Sequence, residues 1–234
     1  MIQYILTNQK YSVPLLQQEV QHLSNNDWKA HYNKSHYEGD WSILPLRSIN
    51  GSMDNTIATH ILSSNLRYAN TILLKACPYL QSVIDSFDCE KTSVRLMKLN
   101  AGAIIKEHTD QDMNMEAGEA RFHIPVQTNE DVAFFIMEDR IPMLAGECWY
   151  LNLSLPHKVH NAGKEARIHL VIDCVVNDWV KSLLNETGSV RKDIDEFPKP
   201  LISTADKIKI ISELRSQNTA AALQLANKLE TESD

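Results

Sequence analysis

Five of the nine histidines in this chain of 234 residues lie between positions 108 and 169. The first of them belongs to the triplet His108-Thr109-Asp110. Residues i and i+2 of an extended chain project to the same side, so this triplet brings an imidazole and a carboxylate together. Both groups bind divalent metals, but a histidine in a sheet is more often a core or surface residue than a ligand. The pair therefore needs a third group before it indicates a metal site.

A second group of candidates surrounds the tripeptide Asn161-Ala162-Gly163, which predicts a three-residue hairpin between two strands. If His160 pairs with Lys164 in that hairpin, His157 pairs with Arg167, and their Cβ atoms lie about 5 Å apart. An arginine that projects into a barrel beside a histidine is costly unless it binds an anion. The alternative is a surface hairpin with Arg167 in solvent.

Together, His108, Asp110 and His157 supply two imidazoles and a carboxylate, the ligand set of non-heme Fe(II) oxygenases. Such iron commonly takes 2-oxoglutarate as co-substrate, and the distal carboxylate of that molecule needs a basic group nearby. Arg167 is placed to supply it. His160 is the alternative second histidine, but it lies only seven residues before Arg167 and would face the opposite side. We therefore expect His157 to be the ligand.

These residues are part of a longer set of motifs between Arg95 and Trp179: His108-x-Asp110, Arg121-x-His123, Gly146-x-x-Trp149, His157-x-Val159 and Arg167-x-His169-Leu170-x-x-Asp173. The set resembles the aspartyl/asparaginyl β-hydroxylase family of Fe(II)/2-oxoglutarate dioxygenases. Within the family, the chain is more similar to the small bacterial branch that includes cis-hydroxylases of free proline. The animal members lack the carboxylate ligand that Asp110 supplies here.

The resemblance implies roles for individual residues. Fe(II) is bound by His108, Asp110 and His157. The C5 carboxylate of 2-oxoglutarate is held by Arg167, with His123 assisting at the co-substrate. The carboxylate of an amino-acid substrate is met by Arg95 and Arg121, for which a purely structural role stays open.

The resemblance also implies a reaction that uses O2 and 2-oxoglutarate, releases succinate and CO2, and hydroxylates an unactivated C–H bond. The substrate is an amino acid, either free (proline-like or other) or an Asp or Asn residue in a peptide. One alternative is a non-catalytic, cupin-like metal- or ligand-binding protein, although such a protein needs no anchor like Arg167. Another is a zinc or manganese isomerase, which normally has more histidines at its metal.

The elements that must position these residues are short strands. Runs rich in β-branched and aromatic residues occur at 93–99, 102–107, 120–127, 132–137, 146–152, 156–160 and 166–176. This pattern predicts a jelly roll, that is, a double-stranded β-helix with a cupin-like core. Helical patterns at 12–23 and 64–85 predict N-terminal helices packed on it, which gives an α+β fold.

We expect residues 1–182 to form the dioxygenase domain, with a helical part at 1–91 and the jelly-roll core at 92–182. The polar, proline-bearing stretch 183–202 is predicted to be a linker. Residues 203–234 are expected to form a C-terminal helical segment with helices at about 203–216 and 218–230.

Composition excludes several partners. The formal net charge is −7 and no dense Lys/Arg cluster occurs, so nucleic acid is not expected. Neither common nucleotide-binding glycine motif is present. No apolar run approaches the ~18 residues of a membrane span, and the N-terminus lacks a signal-peptide pattern, so we expect a cytoplasmic protein with four free cysteines. The sequence does not predict an oligomeric state.

Overall fold

A computed structural model describes residues 1–56, 67–186, 190–195 and 204–217, together with residues 223, 227 and 230. The chain divides into two compact units, Met1–Glu196 and Phe197–Asp234. The strands are β1 (Ile2–Lys10), β2 (Lys29–Ala30), β3 (Tyr37–Glu38), β4 (Trp41–Ile49), β5 (Tyr68–Asn70), β6 (Lys91–Leu99), β7 (Ile104–His108), β8 (Glu119–Gln127), β9 (Val132–Ile136), β10 (Asp139–Ile141), β11 (Glu147–Leu151), β12 (His157–Asn161), β13 (Arg167–Val175) and β14 (Val190–Asp193). The α-helices are α1 (Val13–His22), α2 (Pro78–Asp85), α3 (Asp178–Asn185) and α4 (Thr204–Gln217).

The strands of the first unit form two antiparallel sheets. The larger has the order β14-β1-β11-β8-β13-β6-β4-β2, with β5 paired to β4, and the smaller has the order β10-β9-β12-β7-β3. Along the chain, β6, β8, β11 and β13 lie in the larger sheet, while β7, β9, β10 and β12 lie in the smaller one. A chain that passes repeatedly between two facing sheets in this way is a double-stranded β-helix, so the predicted jelly roll is confirmed.

Strand β13 shows how the sequence separates the two faces of the larger sheet. Leu170, Ile172 and Cys174 are buried in one apolar cluster with residues of α1, α2 and α3. The alternate residues from Arg167 to Asp173 project towards the smaller sheet, where Val171 joins a second apolar cluster. The two faces therefore carry different chemistry: one packs an apolar layer against the helices, and the other places polar groups beside apolar ones between the sheets.

The prediction that residues 1–91 are helical is wrong for much of that region. Strands β1 and β4 belong to the larger sheet, and all residues from Trp41 to Leu46 are buried. A strand covered on both faces loses its polar/apolar alternation, so periodicity did not reveal it. The predicted helix at 12–23 corresponds to α1. Of the helix predicted at 64–85, only α2 is α-helical, and residues 64–66 lie outside the described part.

The predicted linker also needs correction. Strand β14 lies inside it and pairs with β1, and α3 crosses the predicted boundary at residue 182. Strand β14 is exposed along its whole length and three of its four residues are charged, so its composition looks like that of a loop. Helix α4 corresponds to the helix predicted at 203–216, while the one at 218–230 falls largely outside the described residues. Among the helices that the structure describes, none combines the length and apolar character needed to cross a membrane.

The predicted hairpin between His157 and Arg167 is not formed. Strand β12 pairs with β7 and β9 in the smaller sheet, whereas β13 pairs with β6 and β8 in the larger one. The turn after Asn161 is instead a crossing between sheets, fixed by Asn161 Nδ2, which donates to the carbonyl groups of Leu99 (3.0 Å) and Glu165 (2.8 Å). The two residues consequently face each other from opposite sheets.

Candidate metal and co-substrate site

A cavity of about 300 Å³ lies between the two sheets. Every residue that the sequence analysis assigned to the site borders it: Arg95, His108, Asp110, Arg121, His123, His157 and Arg167. The two sheets therefore bring together residues that are up to 72 positions apart in the chain.

The candidate metal ligands meet at the end of the smaller sheet. His108, the last residue of β7, lies directly opposite His157, the first residue of β12, and their ring centroids are 4.2 Å apart. Asp110 follows in the loop after β7, where its backbone N–H donates to the carbonyl of Leu153 at 2.8 Å. One ligand atom from each of the three side chains lies within 4.8 Å of the others. His160 is exposed on the outer side of β12 and does not line the cavity.

Both histidines are oriented by the backbone. Nδ1 of His108 lies 2.8 Å from the carbonyl oxygen of Lys106, and Nδ1 of His157 lies 3.0 Å from that of Leu155. A carbonyl only accepts, so each Nδ1 carries the proton and each Nε2 keeps its lone pair for a metal. Burial lowers the pKa of His157 to about 4, which keeps this ring neutral. Two such imidazoles with a carboxylate fit a divalent transition metal.

Asp110 is joined to a buried network of charges. Nη1 of Arg121 donates to Oδ2 of Asp110, while its Nε and Nη2 contact the two carboxylate oxygens of Asp173 at 2.6 and 3.0 Å. Arg95 Nη1 also donates to Asp173, at 3.0 Å. Burial by itself raises the pKa of each carboxyl group, but Arg121 and the neighbouring cationic groups lower both on balance below the usual range. Asp110 is therefore an anionic group at neutral pH, as a carboxylate ligand of a metal needs to be.

Arg167 is buried without a counter-charge. Its side chain is 2% exposed, and in the described part of the chain no carboxylate forms an ion pair with it. Nη2 donates to Nδ1 of His169 at 2.9 Å, Nε has no partner, and the guanidinium carbon lies 5.7 Å from the ring centroid of Phe134. Burial lowers its pKa to about 9, so it is still a cation at neutral pH. A cation that is costly to bury and left unpaired at a cavity wall is suited to an anionic ligand.

His123 stands next to this cation. Its Nδ1 lies 3.4 Å from Nδ1 of His169, and its buried Nε2 has no hydrogen-bond partner in the described part of the chain. Burial, followed by the charge of Arg167, holds the pKa of both histidines well below the usual value. His123 is thus a neutral ring with one nitrogen free to contact a molecule in the cavity.

One wall of the cavity, formed within residues 31–41, was not predicted from the sequence. His31 stacks on Trp41 with ring centroids 3.7 Å apart, and the ring of His36 lies 4.7 Å from that of His108. Tyr32 also lines the cavity. These rings follow no helix or strand period, and only their density in a short segment could have drawn attention to them. Asp173 was noted as a motif residue, but its contacts with two arginines were not foreseen.

Fold and site together define a jelly-roll protein with two histidines and a carboxylate between its sheets. Residues 10–176 match the family model described as Aspartyl/Asparaginyl beta-hydroxylase. The chain belongs to this family, as its motifs predicted.

Individual relatives are more distant. The chain is 29% identical over 148 residues to an L-proline cis-4-hydroxylase from Rhizobium meliloti (strain 1021), which covers 62% of this chain and 51% of the relative. The match thus spans about half the length of that relative. Among solved structures, a Pseudomonas putida prolyl-4-hydroxylase is 10% identical with a TM-score of 0.49, covering 76% of this chain and 94% of the other. A Burkholderia pseudomallei oxidoreductase of the 2OG-Fe(II) oxygenase family is 11% identical with a TM-score of 0.45, covering 69% and 81%.

Proposed function

We propose that this protein is an Fe(II)/2-oxoglutarate-dependent dioxygenase that hydroxylates an unactivated C–H bond of a proline-like amino acid. The observation that carries the proposal is the combination, in one cavity, of a two-histidine, one-carboxylate group with a buried arginine for which the described residues provide no counter-ion. The first binds a divalent metal. The second needs an anion, and a dicarboxylic co-substrate provides one.

The ligands of Fe(II) are His108, Asp110 and His157. Bound Fe(II), with 2-oxoglutarate and O2, supplies the oxidising power for hydroxylation, with succinate and CO2 as co-products. Arg167 binds the C5 carboxylate of 2-oxoglutarate through a planar fork that matches a carboxylate in two places. His123 contacts the co-substrate through its free ring nitrogen.

The chain itself provides orientation and a water-poor environment. The backbone carbonyl groups of Lys106 and Leu155 hold the two imidazoles with Nε2 towards the shared centre. Apolar side chains of Met97, Ile105 and Val159 line the cavity between the charged groups. Such walls limit the water that reaches a reactive centre and strengthen the electrostatic contacts inside it.

The substrate is proposed to be a free amino acid. The cavity, at about 300 Å³, lies at the lower end of the roughly 300–1,000 Å³ range of small-molecule sites. That volume favours a small molecule over a peptide segment. Arg95 and Arg121, the two arginines implied by the family resemblance for the carboxylate of an amino acid, both line the cavity. The R. meliloti relative is named for L-proline, which makes proline and similar ring-bearing amino acids the first compounds to test.

The proposal is tested by incubating the protein with Fe(II), ascorbate, 2-oxoglutarate and each standard amino acid in turn. We expect succinate and a product heavier by one oxygen atom with proline or a similar compound. Asp110→Ala is expected to abolish both products, and His160→Ala, altered at an exposed position outside the cavity, to retain them. Binding of 2-oxoglutarate without turnover of any amino acid or Asp/Asn peptide would instead indicate a non-catalytic binding protein.

A further inference from the structure

The side chain of Arg121 connects two carboxylates, one at the candidate metal centre and one in the wall of the larger sheet. We propose that Arg121 is a positioning residue that orients Asp110 for the metal, and that it is not the anchor of the substrate carboxylate. This inference rests on the metal assignment of the proposed function. It separates the roles of Arg121 and Arg95, which the sequence motifs treat alike.

The guanidinium of Arg121 is held in place by Asp173. Asp173 lies directly across from Arg121 in the register of β13 and β8, and its two carboxylate oxygens accept hydrogen bonds from Nε and Nη2 of Arg121. Asp173 is 1% exposed and is also bound by Arg95, whose Nη1 in turn contacts Oγ of Ser93 at 2.7 Å. Because its fork is engaged by a carboxylate on a central strand, Arg121 has little freedom to turn towards a substrate.

The remaining nitrogen, Nη1, binds Oδ2 of Asp110. The other oxygen, Oδ1, lies 3.8 Å from Nε2 of His108 and faces the two histidines. Asp110 sits in a loop and its side chain is 32% exposed, so without this contact the carboxylate is free to rotate away from the histidines. Partners that orient a metal ligand typically contribute 10- to 100-fold, roughly, to metal affinity.

Arg95 differs from Arg121 in the donors it leaves free. Its side chain lines the cavity, and its buried Nε has no hydrogen-bond partner among the residues that the structure describes. A buried, unpaired N–H of a cation is a strong site for a carboxylate. The geometry therefore favours Arg95 as the residue that binds the substrate carboxylate, whereas Arg121 orients the metal ligand Asp110.

The experiment measures Co(II) affinity of the full chain without 2-oxoglutarate or amino acid. For Arg121→Gln we expect Co(II) binding to weaken by about 10- to 100-fold, and for Arg95→Gln we expect a change of less than about threefold with a higher KM for the amino acid. Removing a positive charge beside a cation site strengthens cation binding by Coulomb's law alone. Weaker binding by a folded variant therefore reports lost orientation.

A double-mutant cycle tests the link between the two residues. In an Asp110→Ala background, Arg121→Gln should cause no further loss of Co(II) affinity, because the group that it orients is absent. Thermal unfolding of each variant shows whether it is folded. If Arg121→Gln does not fold, Arg121→Lys replaces it, since a lysine keeps the charge next to Asp173 but cannot bridge two carboxylates with a fork.

Three results would overturn the inference. The first is unchanged or tighter Co(II) binding by Arg121→Gln with a raised amino-acid KM, which would make Arg121 the substrate anchor. The second is that Arg121→Gln lowers Co(II) affinity by the same factor in the presence and in the absence of the Asp110 side chain. The third is a wild-type protein whose Co(II) affinity does not depend on Asp110, which would remove the metal site as well. Coupling between the two residues in a protein that hydroxylates nothing would support the positioning role while refuting the proposed reaction.

Discussion

Replacing Arg167 with methionine should change stability and co-substrate binding in opposite directions. Burial lowers the pKa of Arg167 from the usual 12.5 to about 9, a difference that corresponds to roughly 5 kcal/mol of unfavourable burial of the charged form. Methionine has a similar length and no charge, but it loses the hydrogen bond to His169 and the contact with Phe134. Even buried ion pairs, when replaced by apolar groups of similar volume, often give a free energy of unfolding that is unchanged or higher by about 1–4 kcal/mol. We therefore expect a gain of up to about that size for this unpaired charge.

The same variant should bind 2-oxoglutarate much more weakly. Losing one charge-assisted hydrogen bond costs about 1.5–3 kcal/mol, which is roughly 10- to 150-fold in affinity, and methionine removes the entire fork. Denaturant unfolding of the ligand-free protein and calorimetric titration with 2-oxoglutarate measure the two effects. Arg140→Met, at an exposed position away from the cavity, is the control and should change neither much. A destabilised Arg167→Met protein that binds 2-oxoglutarate normally would refute the reasoning.

Further predictions concern the metal ligands, one buried imidazole and two turns. His157→Ala should abolish Fe(II)-dependent turnover while His160→Ala retains most of it, and equal loss in both would contradict the assignment. Burial lowers the pKa of His31 from 6.5 to about 4. As the pH falls from 6.5 towards 4, the unfolded state is therefore protonated at this residue before the folded state, and the free energy of unfolding decreases. His31→Phe should reduce that loss by up to roughly 3 kcal/mol at pH 4, measured by denaturant unfolding, and an unchanged pH profile would argue against it. Gly146→Ala should destabilise the fold by more than Gly102→Ala. Both glycines have positive φ, but a Cβ atom at Gly146 would lie 2.5 Å from the backbone oxygen of Tyr11, whereas one at Gly102 would meet no atom within 4 Å. Equal losses in thermal unfolding would show that this close contact is unimportant.

The sequence was a better guide to which residues lie at the cavity than to how the strands that carry them are connected. Motifs around His108, His157 and Arg167 singled out residues that the structure brings to one cavity, because the types and spacings of metal ligands and anion-binding groups are specific. The predicted hairpin between His157 and Arg167 was wrong, since a short turn between two strand-like runs does not show whether the strands pair or enter different sheets. Both arrangements place the two side chains at one cavity, so the proposed roles of His157 and Arg167 do not depend on the hairpin.

Other features could not be predicted from local patterns. Strand β4 is buried on both faces and lacks alternation, while β14 is exposed on both faces and, with three charged residues out of four, resembles a loop. The ion-pair partners of Asp173 depend on the register between β13, β8 and β6, and that register is set by tertiary packing over long separations. Likewise, the aromatic wall around Trp41 exists only because the segment before β4 folds over the cavity.

The most direct test of the central claim is a crystal structure of the protein with Mn(II) in place of Fe(II) and with 2-oxoglutarate. We predict the metal on Nε2 of His108, Nε2 of His157 and a carboxylate oxygen of Asp110, with one carboxylate of 2-oxoglutarate hydrogen-bonded to Arg167. A metal bound elsewhere, or a co-substrate whose carboxylates both lie away from Arg167, would contradict the account.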